Sequence, residues 1–385
     1  MTEPTETAFT QLKQLIEQAD SMATLEYLAD VYLKSKSYAE LFEIRKLQIR
    51  NEMELPLDFE QGVQQLDADQ QRKMEDQLLA ACQEIGQLLV AEGDLSQGWI
   101  YLQPLIDREF VQRTVESIDL RDDNIDQVIE IALYQWAAPK FGYRLLLQHQ
   151  GTCNGITFFD TQANYQAPEI RTQLAETLIN HIYEELLQNV SSAIQERESD
   201  APEAALIKLI NNHPWVFADC GHHMDVTHLV SAARIARYCE SKVHLQQALE
   251  LCSYGCQLDS QLQYESEPPF EQTYADHTIF FEGLLQTELS AAVKHFQSKI
   301  EHFRGSEHEH SARAILIELL ARTNQSSAAI DACIQSEQLA TETDISQLVS
   351  LARSPADYSK LMDHFESKNS LLGFAISGLY KSMKR

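Results

Sequence analysis

Residues 74–106 read MEDQLLAACQEIGQLLVAEGDLSQGWIYLQPLI. Cys82, Ile85 and Leu89 recur three and four apart, the period of a helix that buries one stripe. The pattern breaks at Ala91-Glu92-Gly93-Asp94, where Gly93 is placed to end a helix in a left-handed conformation. It resumes over Ser96–Ile106. A connection this short forces the two helices to run antiparallel, so the stretch is a helical hairpin.

The same reading extends along the chain. Leu12, Leu15, Ile16 and Ala19 form one stripe, and Leu25, Leu28, Ala29 and Tyr32 a second. Leu41, Ile44 and Leu47 form a third after a break at Ser35-Lys36-Ser37. Thirteen Gly and ten Pro in 385 residues are roughly half the ordinary usage of ~7% and ~5%, which disfavours turn-rich β architectures and disordered linkers. The predicted fold class is all-α: stacked antiparallel helical hairpins, as a repeat-like α-solenoid or an irregular helical bundle.

Cys82-x-x-Ile85-Gly86-x-x-Leu89 followed by Gly98-x-x-x-Leu102 resembles the tetratricopeptide repeat, with small residues where two helices cross. Leu25-x-x-Leu28-Ala29-x-x-Tyr32 with Leu41, Ala232-x-x-Ile235-Ala236-x-x-Cys239 with Ala248-x-x-x-Cys252, Ile279-Phe280 with Ala292-x-x-x-Phe296, and Leu316-Ile317-x-x-Leu320 with Ala329-x-x-x-Cys333 follow the same template. Ile235, Ile279 and Leu316 are 44 and 37 residues apart, longer than the ~34 of the regular repeat, so solenoid and bundle both remain open. The resemblance implies a concave helical surface that binds a protein or peptide partner.

Two regions are expected to depart from helix. Gly142–Pro168, with Gly151, Gly155 and the run Ile156-Thr157-Phe158-Phe159, favours a loop or a short strand pair. Residues 257–276, with Pro268-Pro269 and Tyr264, Phe270 and Tyr274 among acidic residues, read as a long loop that serves function or straps the core. The softer break at Glu196–Pro202 divides the chain into expected regions 1–199, with its irregular insertion near 142–168, and 200–385, with the long loop near 257–276.

A formal net charge of −28 repels phosphate backbones and argues against nucleic acid as partner. The most apolar short run, Ala314–Ile317, stops at Glu318, far short of a membrane span of ~20 residues. Met1–Thr7 is polar and acidic rather than basic and then apolar, and the seven cysteines include no Cys-x-x-Cys. The expectation is therefore a cytoplasmic protein with reduced thiols.

One cluster stands out as candidate chemistry: Cys220-Gly221-His222-His223-Met224-Asp225-Val226-Thr227-His228. His222, His223, Asp225 and His228 are suitable ligands for a divalent transition metal with an open position, which gives a metal-dependent enzyme as the alternative function. Asp225 as a helix cap with a nearby His explains the same residues without metal. Cys153 with His149 as its base is a second arrangement, set against a thiol that simply packs. Cys252 and Cys256, together with Trp99, Trp136 and Trp215, are read as core, and Glu307-His308-Glu309-His310 as a solvated turn. The leading reading is a scaffold without enzymatic activity or cofactor.

Overall fold

The computed structural model describes residues 3–18, 20–57, 66–198, 205–335 and 342–383. Among them there is no strand, and the fold is all-α. The chain divides into two compact units, Met1–His149 and Gln150–Arg385. The stretch expected as a boundary, 196–202, lies inside the second unit, and its residues 199–202 fall outside the described residues.

The first unit contains α1 (Glu3–Glu17), α2 (Ser21–Lys34), α3 (Tyr38–Glu52), α4 (Ala68–Ala91), α5 (Leu95–Leu102), α6 (Arg108–Glu116), α7 (Ile125–Ile129) and α8 (Pro139–Gln150, which ends at the division). Helix α4 starts with a capping box. The Asp67 carboxylate accepts from the Gln70 amide at 2.8 Å while the Gln70 side chain accepts from the Asp67 amide at 3.1 Å. The α2–α3 hairpin buries Leu25, Ala29, Leu41 and Ile44 against Ile85 of α4, one apolar core built from the stripes read in the sequence.

Gly93 takes φ +88°, as the end of α4 requires. Helices α4 and α5 then cross at Gly86 and Gly98. A Cβ on Gly98 would lie 2.8 Å from the Val90 Cγ2 and 3.2 Å from the Gly86 carbonyl oxygen. Gly98→Val is accordingly expected to cost about 1–3 kcal/mol through overpacking. Thermal unfolding of the variant checks this, and an unchanged midpoint would mean that the crossing is looser than described.

The second unit is organised on α10 (Pro168–Glu198). Leu174, Leu178, Ile182, Leu186, Val190 and Ile194 follow one another four apart along it and are buried, which makes it the central helix of its bundle. Helices α9 (Thr152–Thr161), α11 (Leu206–Asn212), α12 (Val226–Ile235) and α13 (Lys242–Gln257) pack on it. Consecutive helices then stack in turn: α14 (Thr273–Leu284), α15 (Leu289–His302), α16 (Glu309–Arg322) and α17 (Ser326–Ile334). The array closes with α18 (Glu342–Leu351), α19 (Pro355–Ser367) and α20 (Leu371–Met383), where Ile330, Leu348, Tyr358, Leu361 and Phe365 share a core.

The structure corrects the expectation for 142–168. Instead of a loop or strand pair it holds α8, α9 and a short 3-10 turn at Ala163–Tyr165, with Gly151 at φ +84° between the two helices. Gly155, Phe158 and Phe159 are buried at helical spacing, and this burial outweighs the strand preference of Ile156, Thr157 and the two Phe residues. The long connection, by contrast, is present between α13 and α14, broken only by a 3-10 turn at Ser260–Leu262. It is a packed strap: Phe270 is 5% exposed and stacks on His277 with centroids 4.0 Å apart. The three Trp residues are half-buried rather than core. Cys252 is buried as expected, whereas Cys256 lies at the surface.

Candidate functional site

Two helix starts and one face of α10 converge in the second unit. Cys153 is the second residue of α9 and is exposed. His228 sits in the first turn of α12, and its Nε2 lies 2.9 Å from the Cys153 Sγ. Further along the same two helices, Arg234 bonds Asp160 at 2.9 Å. The two contacts are seven residues apart on α9 and six apart on α12, so the helices run side by side in the same direction. Pinned twice in this way, thiol and imidazole are held by rigid elements rather than by a loop.

Behind Cys153, the hydroxyl of buried Thr152 donates to Glu185 Oε2 at 3.0 Å and meets His181 Nε2 at 3.1 Å. His181 and Glu185 are four apart on α10 and therefore share a face. Burial holds the His181 imidazole below its ordinary pKa, against the pull of Glu185 and Glu184, and the neighbouring His228 acts in the same direction as burial. His181 is thus neutral near pH 7 and takes part through a hydrogen bond rather than as a charge.

The four residues singled out as metal ligands have separate partners. Asp225 caps α12: its Oδ1 accepts from the Thr227 amide at 2.8 Å and from the Thr227 hydroxyl at 2.7 Å. These two bonds hold its carboxyl below the usual range, with smaller contributions from His228 and His222. His223 meets the Tyr254 hydroxyl through its amide at 2.9 Å and its Nδ1 at 3.1 Å, and burial lowers its pKa. His222 Nδ1 lies 3.1 Å from the Cys220 carbonyl oxygen, and His228 is engaged with Cys153. Among the described residues, no group of three or more His, Cys, Asp or Glu is arranged to hold a metal ion. Asp276, at the start of α14, is occupied by His295 at 2.8 Å and Lys299 at 2.9 Å.

Cys153 was paired in the sequence with His149, because the two are close in the chain. The structure supplies His228 instead, 75 residues away. His181 and Glu185 were missed altogether. They leave no distinctive trace, because α10 carries other polar pairs at the same spacing, such as Asn180 and Glu184.

A different kind of site lies on the stacked hairpins. A cleft of ≈ 870 Å³ runs over α15, α16 and α17. Ile300, Leu316 and Leu320, all nearly buried, contribute apolar side chains to its lining. At its rim Arg313 pairs with Glu309 at 2.8 Å, Arg304 pairs with Glu301, and Asp331 is held by Lys360 at 2.8 Å. Separately, α20 exposes Leu371, Leu379 and Met383, which are 85%, 59% and 77% accessible. No family model, curated protein or solved structure matches the chain.

Proposed function

We propose that this chain is a cytoplasmic protein-interaction module of the tetratricopeptide-like kind, and that its ligand is a basic, extended segment of a protein partner lying in the cleft over α15, α16 and α17. The cleft is the observation that carries the reading. Its lining is mostly polar and charged, with a minor apolar share from Ile300, Leu316 and Leu320, which suits polar and ionic contacts to an extended segment. Its size suits several side chains of an extended peptide. Among the described residues of the rim, Arg304 and Arg313 are paired with Glu301 and Glu309 and Asp331 with Lys360, so the rim itself favours neither charge of ligand. A net charge of −28 instead steers basic segments toward the surface and repels nucleic acid. No helix among the described residues is long and apolar enough to cross a membrane.

Ala328 lines the cleft and is half-buried, so Ala328→Trp fills the groove without entering the core. Affinity capture with the wild-type chain is expected to retain proteins with basic segments, less so at high salt. The Trp variant is expected to lose at least about tenfold of that capture, a deficit of ~1.4 kcal/mol. Equal retention by both chains would overturn the cleft as the docking site. Loss in Leu379→Lys but not in Ala328→Trp would move the interface to α20. Loss in a His222, His223 and His228 triple-Ala variant that keeps its helix content would instead favour chemistry at the α12 start.

A further inference from the structure

We infer that Cys153 and His228 form a nucleophilic thiol centre, in which the imidazole serves as proton acceptor and donor, and that Cys153 is thereby a site of reversible S-thiolation by low-molecular-mass disulfides. The sulfur and the imidazole nitrogen are 2.9 Å apart, within the reach of direct proton transfer. The thiol faces solvent, and His228 is half-buried behind it. The first turn of α9 favours negative charge developing on the sulfur. Asp225, ionised by its bonds to Thr227, lies near enough to His228 to feel its charge and stabilises the imidazolium that forms. His181 is kept uncharged by burial and adds no second positive charge beside it at neutral pH.

The chemistry balances without any further reagent. His228 Nε2 takes the proton from the Cys153 thiol, and the thiolate attacks one sulfur of the disulfide. The bond between the two reagent sulfurs breaks as the Sγ–S bond forms, and the departing thiolate recovers the proton from Nε2. One disulfide and one thiol are consumed, and one mixed disulfide and one thiol result. An accessible sulfur with an adjacent proton relay suffices for this exchange, whereas acyl transfer also needs aligned oxyanion donors around a bound carbonyl. That requirement favours a disulfide over an ester or amide as the electrophile.

The chain carries its own control. Cys220 is exposed as well, but no imidazole is bonded to its sulfur. Native protein incubated with glutathione disulfide, digested and read by mass spectrometry at each cysteine, is expected to show Cys153 modified about tenfold faster than Cys220 at pH 7. In His228→Gln the Cys153 rate at pH 7 should fall to that of Cys220, with circular dichroism unchanged. Cys153→Ser should lose the fast phase altogether. If Cys153 and Cys220 react alike, or if His228→Gln leaves the Cys153 rate unchanged, the centre does not exist. Should His228→Gln unfold α12, the wild-type comparison of Cys153 with Cys220 still decides the matter. The protein-binding reading is unaffected by either result, because its cleft contains neither residue.

Discussion

Asp276→Ala is expected to lower the stability of the second unit by about 3 kcal/mol, the lower end of what removing one partner of a buried ion pair costs. The Asp276 side chain is 2% exposed and holds three donors: His295 Nε2 at 2.8 Å, Lys299 Nζ at 2.9 Å and the Gln272 amide at 3.0 Å. It therefore ties the start of α14 to the middle of α15. Burial alone would pull the Lys299 pKa down, but its bonds to Glu271 and Asp276 outweigh that and hold it above the ordinary value. Truncating Asp276 leaves Lys299 desolvated with only Glu271, at 2.8 Å, as its counter-ion. Glu271 is the more exposed partner, so Glu271→Gln should cost less than about 1 kcal/mol. Urea unfolding of both variants checks the contrast. Equal losses would show that burial does not separate the two carboxylates.

That network also marks the limit of what the sequence discloses. The hairpins were legible because they are local. Gly93 ends α4, Gly86 and Gly98 mark its crossing with α5, and Ala292 lies opposite Gly283 where α14 meets α15. A period of three and four residues together with one small residue at the crossing is enough to find such units. The stretch 152–161 misled because Gly151, Gly155 and a run of β-branched and aromatic residues carry local strand and turn preferences. The burial of Phe158 and Phe159 against other helices then decides the outcome, and no local preference reports it.

The thiol centre was half legible for the same reason. Cys153 drew notice, and so did His228, but as members of different clusters. Nothing in a linear reading says that α9 and α12 lie side by side, since that arrangement is fixed by the apolar stripe of α10 on which both pack. The histidine cluster divides for a related reason. His228 turns to α9, while the Tyr254 hydroxyl on α13 takes His223, so four neighbours in sequence end with four different partners.

The second large effect is a loss of stability in mild acid that is traceable to His277. This residue is 2% exposed, stacked on Phe270 at 4.0 Å, and its Nδ1 donates to the Thr273 carbonyl oxygen at 2.6 Å. Its Nε2 has no protein partner. Burial drives its pKa down to about 3, partly opposed by the bond to Thr273 and reinforced by Arg237 and Arg234. The unfolded chain, with an ordinary imidazole near ~6.5, binds this proton more readily than the folded one. The contribution is therefore fully present above about pH 6.5 and is lost as pH falls from there toward the folded value. Between pH 7 and 5 it amounts to roughly 1.5 pH units of linkage, or about 2 kcal/mol. His277→Gln cannot titrate, so it should begin less stable at pH 7 and lose about 2 kcal/mol less than wild type on going to pH 5. Urea denaturation of both proteins at the two pH values measures the difference. Parallel losses would assign the acid sensitivity to other groups, such as His181 or His223, whose pKa values burial also lowers, and would mean that His277 reaches solvent more readily than its packing indicates.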